Sequence, residues 1–119
     1  MLHLVHASRF HWGVVGTPAN QAIGDWQISR AYALVGQPNL ALRFAKSSLE
    51  ICRRNSLFGL THTAHEAMAR ACAVAKDYPA AKRYLDKARR QLADLDLDEG
   101  DRATYAEQIR ETETLIKNR

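Results

Sequence analysis

The chain carries DWQISRAYALVGQPNLALRFAKSSL at residues 25–49, and the same pattern of small and bulky residues returns forty residues later without a gap. Each position of the first copy pairs with a residue of similar size in the second, although few pairs are identical. The first copy has Ile28, Ser29, Tyr32, Leu34, Ala41, Phe44 and Ser48, and the second has Met68, Ala69, Cys72, Val74, Ala81, Tyr84 and Ala88. A repeat that keeps residue size rather than identity is typical of helices packed in an array. We therefore predict an all-α fold.

Helix start and stop signals divide this pattern into antiparallel helix pairs. Thr17 and Pro18 form a helix start, and Gly36 ends that helix about five turns later. The second copy repeats the same order of helix, turn and helix. Helices are thus predicted at residues 18–36, 39–54, 61–75, 80–95 and 101–117.

We predict a single domain over residues 1–119, an α-α superhelix of about six helices. Its parts are a leading half-unit helix at 1–16, a first repeat at 17–56, a second repeat at 57–96 and a capping helix at 97–119. The apolar stripe of the capping helix is predicted to comprise Tyr105, Ile109 and either Leu115 or Ile116. A helix without its partner leaves apolar surface uncovered. The leading helix is therefore expected either to fold over the array or to form a homodimer contact.

Composition indicates a soluble, cytoplasmic protein. The 119 residues are 46% hydrophobic and 25% charged, which is ordinary for one globular domain. No apolar run is long enough to span a membrane, and the opening MLHLVHASRFHW is too rich in His and Arg for a signal peptide. Cys52 and Cys72 lie on apolar helix faces without ligand-like spacing, so we predict reduced, buried thiols.

The two units resemble tetratricopeptide repeats (TPRs) over about residues 25–92. The resemblance rests on size classes at fixed positions, including Gly36 or Lys76 before the turn and Ala41 or Ala81 at the opening of the second helix. The period of 40 residues exceeds the usual period of about 34, and it is similar to that of longer-helix relatives in bacterial regulators and kinesin light chains. The segments HASRFHWG and GDWQISRAYALVG are also similar to small bacterial helical-repeat proteins.

The resemblance implies a protein-interaction module whose first helices line a concave groove for a peptide or a partner's helix. The candidate binding residues are those on first helices that packing does not require, namely Trp26, Arg30, Glu66, Arg70 and Arg110. Three arginines in one column would grip the carboxylate of an acidic partner segment through paired hydrogen bonds. Two alternatives stay open: the arginines pair with acidic residues of their own helices, and Trp26 packs in the core.

Histidines give a first alternative function, a small-ligand or metal-binding protein. His6 and His11 near the beginning of the chain and His65 with Glu66 in the second repeat offer ligands to a transition metal. Their order does not match the HExxH pattern of a zinc hydrolase, so we predict no metal, no cofactor and no catalytic residue. The junction of these residues with Trp26 is where acid–base chemistry would be assembled if the protein were an enzyme, which we do not expect.

Basic residues on the second helices give another alternative, a nucleic-acid-associated scaffold. The net charge is +4, and Arg83, Lys87 and Arg90 mark one of two basic rows. No aromatic residues interleave these rows to stack on bases. We therefore interpret the rows as solvated helix faces, and nucleic acid is not the predicted partner.

Overall fold

The computed structural model of the protein describes residues 17–117, which form five helices and no strand. The helices are α1 (Pro18–Leu34), α2 (Pro38–Arg54), α3 (Thr61–Val74), α4 (Tyr78–Ala93) and α5 (Glu99–Lys117). The all-α prediction is confirmed for this part of the chain, and the five helix bounds lie close to those predicted. The sixth predicted helix, at residues 1–16, falls outside the described residues. None of the helices α1 to α5 combines the length and the apolar character needed to cross a membrane.

Side-chain caps start three of the helices, including α5, where the Asp98 carboxylate accepts a hydrogen bond from the Asp101 backbone N–H at 2.7 Å. The Thr17 hydroxyl accepts a hydrogen bond from the Asn20 backbone N–H at 3.3 Å, and Pro18 occupies the first turn of α1. Asp77 caps α4 in the same way, through the Ala80 N–H at 3.3 Å. Each cap satisfies an amide that the first helical turn leaves unpaired, and such a cap is typically worth about 1 kcal/mol.

Left-handed residues terminate α1, α2 and α3. Gly36, Ser56 and Lys76 have φ angles of 76°, 54° and 66°. In all three cases the next backbone N–H donates to the carbonyl five residues earlier, at 2.8–2.9 Å, which closes the helix end. Gly36 and Lys76 occupy corresponding positions of the two copies. Glycine adopts this backbone freely, whereas a residue with a side chain is disfavoured there by about 1–2 kcal/mol.

The five helices form two layers. The first layer contains α1, α3 and α5, with α3 in contact with both of the others. The second layer contains α2 and α4, which both contact α3, whereas no Cα atom of one lies within 8 Å of a Cα atom of the other. Short connections make helices that follow one another in the chain antiparallel. A gap is therefore left between α2 and α4, with α3 beneath it.

Small residues let the paired helices approach closely. The Ser29 hydroxyl of α1 donates to the Ala41 carbonyl of α2 at 2.7 Å, and the Ser48 hydroxyl donates back to an α1 carbonyl at 2.8 Å. Ala69 and Ala88, forty residues later, are as fully buried as these serines. Each serine bond adds about 1 kcal/mol and satisfies a hydroxyl that has no access to water.

The central helix α3 is enclosed by its neighbours. It contacts all four other described helices, and residues 61–69 are buried without exception. Its sequence, THTAHEAMARACAV, combines alanines, which permit close packing, with polar residues. Because buried polar groups are costly without partners, His62, His65 and Glu66 depend on partners inside the protein.

The last helix, α5, covers α3 and α4 with a stripe of four residues. Ile109, Thr112 and Ile116 are buried and Tyr105 is half-buried, whereas Leu115 is 42% exposed. Of the two residues left open by the sequence, Ile116 thus completes the stripe. Thr112 was missed because it is polar, although it lies three residues after Ile109 and four before Ile116, as a helical stripe requires.

The two cysteines are free thiols and buried, as predicted. Burial raises the pKa of both Cys52 and Cys72. Both thiols therefore stay protonated at neutral pH, and a protonated, buried thiol is a poor nucleophile.

Candidate functional site

A buried carboxylate, Glu66, is the centre of a polar cluster on the first layer. Its side chain is 2% exposed and lies between α1 and α5. Arg70 Nε donates to Glu66 Oε2 at 3.1 Å, and the Thr112 hydroxyl donates to the same oxygen at 2.7 Å. Arg30 Nη1 forms an ion pair with Oε1 at 3.6 Å, longer than a hydrogen bond. Three helices thus meet through one carboxylate, which would be costly to bury without these partners.

A second carboxylate, Glu111 of α5, lies over the two arginines at the surface. Its Oε2 is 3.3 Å from Arg30 Nη2 and 3.5 Å from Arg70 Nη2. Glu111 is 45% exposed, so its pairing is screened by water and worth at most about 1 kcal/mol. We call Arg30, Arg70 and Glu111 the charged row. With Glu66 beneath it, the row carries no net formal charge.

An apolar row lies one helical turn beyond the charged row. It consists of Leu34, Val74 and Leu115, each four residues after a member of the charged row on the same helix. The repeated order shows that α1, α3 and α5 run in the same direction. These three residues, with Ala33 and Arg70, line a cavity of about 160 Å³. Leu34 is 76% exposed, which is unusual for a large aliphatic side chain beside other exposed apolar residues.

Trp26 connects the charged row to the core. It is half-buried and packs beside a cluster that contains Ala64, Ala67 and Met68 of α3. The Arg30 guanidinium lies 5.0 Å from the centre of its ring, a cation–π distance. Trp26 therefore packs against the core, one of the two roles that the sequence left open, and also contacts a residue of the charged row; its other role, as an anchor for a partner, stays a prediction.

Four buried polar atoms have no hydrogen-bond partner among the described residues. They are Trp26 Nε1, Arg30 Nη1, His62 Nε2 and Glu66 Oε1. Unsatisfied buried groups are rare in folded proteins, and all four belong to this cluster or to the helical turn before it. The polar cluster is thus less completely satisfied than the rest of the described interior.

Arg110, the third arginine of the predicted column, lies outside the cluster. It is exposed and pairs with Glu107 of its own helix. The stripe of α5 places its neighbour Glu111, and not Arg110, over Arg30 and Arg70. The forty-residue offset fails here by one residue, since the position that corresponds to Arg70 on α5 is Glu111, which follows it by 41 residues.

The structure does not bring His65 and Glu66 to a common site. His65 Nδ1 lies 2.8 Å from Gln91 Oε1 of α4, whereas Glu66 bonds to residues of α3 and α5. Neighbouring helical residues point about 100° apart, which explains the separation. His6 and His11, the other two candidate metal ligands, lie outside the described residues. Within residues 17–117, no three His, Cys, Asp or Glu side chains are grouped closely enough to hold a metal ion.

His62 is a buried neutral histidine at the start of α3. Its ring meets Tyr105 of α5 edge to face, with 4.5 Å between the ring centres. Burial lowers the pKa of His62 to about 4, although a hydrogen bond to the Gly59 backbone acts in the opposite direction. Burial is also the main cause that lowers the pKa of His65. Both imidazoles are therefore uncharged at neutral pH.

Comparisons with known proteins leave this geometry as the main guide to function. No protein-family model, curated protein or solved structure matches the chain.

Proposed function

We propose that the chain is a TPR-like protein-interaction module, an α-α superhelix that binds a peptide segment of a partner protein on its first layer. The observation that carries the proposal is the pair of adjacent rows across α1, α3 and α5. One row offers two partly exposed arginine side chains, and the other offers the exposed Leu34 and Leu115 and the half-buried Val74 around a cavity of about 160 Å³. Arginine is enriched among the residues that contribute most of the binding energy in protein interfaces.

The chemistry of the rows defines the partner segment. A bulky apolar side chain would fill the cavity between Leu34, Val74 and Leu115, and a carboxylate next to it would pair with Arg30 and Arg70. Glu66 is too deeply buried to be replaced, but Glu111 is half-exposed and is held by its pairs with Arg30 and Arg70. The partner's carboxylate therefore takes the place of Glu111, so the segment is acidic or ends in a free C-terminus.

A library of random synthetic peptides, each made with a free and with an amidated C-terminus, tests this proposal. Binding is followed by the fluorescence of Trp26 in a Trp12→Phe variant, since the protein has two tryptophans. We expect enriched peptides to combine a bulky apolar residue with a nearby carboxylate. Arg30→Gln should weaken the best peptide by about fivefold, equivalent to about 1 kcal/mol.

Two further variants distinguish specific binding of the peptide's carboxylate at Arg30 and Arg70 from a general effect of charge. Glu111→Gln removes the internal competitor, so the affinity for the same peptide should increase. Arg110→Gln removes a charge from the same helix outside the rows and should leave the affinity unchanged. If Glu111→Gln weakens binding, or if the enriched peptides carry no carboxylate, the proposed exchange at Arg30 and Arg70 is wrong.

A further inference from the structure

The opposite side of α3 forms the floor of a second site, in the gap between α2 and α4. A groove of about 340 Å³ lies there, which we call the second-layer groove. Lys46 and Arg53 of α2 line one wall, and Lys87 of α4 lines the other. His65 belongs to the floor. This groove is separate from the two rows of the first layer, because α3 lies between them.

The positive charge of the second-layer groove is not neutralised. All three of its cationic side chains are exposed, and none forms an ion pair with another described residue within 4 Å. The acidic residue that lines the groove, Glu50, is paired with Arg54 at 3.4 Å. Five of the nine other arginines within residues 17–117 are paired with carboxylates, Arg89 among them. With Glu50 included, three cations and one carboxylate line the groove, so its net formal charge is +2, and none of the three cations is held in an ion pair with another described residue.

An aromatic ring and an imidazole ring form the part of the groove that lies between these charges. His65 is buried and hydrogen-bonded to Gln91, and its ring stacks on Tyr84 with 6.3 Å between the ring centres. Lys87 Nζ lies 5.8 Å from the centre of the Tyr84 ring. The positive charges of Lys87 and Arg53 add to burial in lowering the pKa of His65, consistent with both cations facing the floor. These contacts hold the floor and one wall in place before any ligand binds.

We propose that the second-layer groove binds the phosphoryl group of a small phosphorylated molecule. A phosphate monoester carries nearly two negative charges and three acceptor oxygens, which suit one arginine fork and two lysine ammonium groups. The groove volume is in the range of small-molecule sites. Tyr84 is already engaged by His65 and Lys87, so its ring is not a platform for the bases of a nucleic acid.

Titration of the intact protein with phenyl phosphate and with inorganic phosphate at low ionic strength tests the proposal. Calorimetry gives the affinity and stoichiometry, and NMR of the His65 and Tyr84 rings reports the place of binding. We expect one site per chain, shifts of both rings, no binding of phenol, and weakening by added salt. The double variant Arg53→Gln, Lys87→Gln should lower the affinity by about tenfold or more.

A matched control removes the same charges elsewhere. Lys82→Gln, Arg83→Gln replaces one lysine and one arginine on the exposed face of α4, where neither lines the groove. Its affinity should stay within about twofold of that of the original protein, apart from the small change in net charge. The proposal is overturned by the absence of saturable binding, by an equal loss in both double variants, or by binding of single-stranded DNA without binding of either phosphate probe.

Discussion

Replacing Thr112 with valine tests whether α5 is docked on the buried carboxylate of α3. Thr112 is fully buried, and its hydroxyl donates to Glu66 Oε2 at 2.7 Å. A hydrogen bond to a charged acceptor contributes about 1.5–3 kcal/mol. Glu66 keeps its bond from Arg70 Nε, and the added methyl group gains some burial, so we expect the lower end of this range, about 1.5 kcal/mol.

The same substitution at Thr114 is the control. The Thr114 hydroxyl donates to the Arg110 carbonyl on an exposed face of the same helix, so Thr114→Val should cost less than about 0.5 kcal/mol. Valine and threonine have similar helix propensities, so propensity does not separate the two variants. Urea unfolding followed by circular dichroism gives the free energies, and Thr112→Val should also lower the Tm by about 5 °C. Equal stabilities of the two variants would show that Thr112 does not bond to a buried Glu66.

Three further predictions concern other parts of the fold. Lys76→Gly should stabilise the protein by about 1 kcal/mol, because glycine adopts the left-handed backbone of residue 76 more easily than lysine does. Gly36→Lys should destabilise the protein in the same assay. If Lys76→Gly does not increase the free energy of unfolding, the left-handed conformation of residue 76 is contradicted. Because the pKa of His62 is about 4 in the folded protein and near 6.5 when unfolded, the unfolded state takes up its proton first as the pH falls. Stability should therefore be lost between pH 6.5 and 4, by about 2 kcal/mol at pH 5, and His62→Gln should lose less over the same interval in urea titrations at pH 7.5 and 5. Cys52 and Cys72 should react with a thiol reagent at least about tenfold more slowly in the folded protein than in urea, and fast labelling of either would contradict their burial.

The helical architecture was predictable because positions where helices pack closely require small residues. Ser29 with Ala69 and Ser48 with Ala88 are small at the positions where the structure packs helices most closely. The helix caps and helix ends were equally predictable, because Thr17 and Gly36 act on backbone groups that are close to them in sequence. These features depend on contacts within one helix pair, for which the spacing in sequence fixes the spacing in space.

The site was less predictable because it depends on how different helix pairs meet. Arg30, Glu66 and Arg70 were identified from the sequence and do lie together. Glu111 was not identified, because the register of α5 is set by the linker before it and by the burial of Ile109, and a fixed offset cannot reveal either. Such relationships between distant segments need three-dimensional structure.

The second-layer groove shows the same limit. Lys87 appeared in sequence as part of a solvated basic row without interleaved aromatics. Folding places it near Tyr84 and opposite Arg53, which belongs to a different helix and is not its counterpart at the forty-residue spacing. A charge pattern read along one helix therefore did not reveal a site that two helices share.

The burial of α3 among the other helices affects how the chain unfolds. The sequence divides at residue 56 into two similar units, but α3 is packed by helices from both. Because α3 is buried along most of its length, its backbone amides should exchange hydrogen only when the described fold opens as a whole. The ends of α1 and α5 should exchange much earlier. The boundary between the two similar sequence units should therefore not separate two cooperative units, and both halves should unfold together.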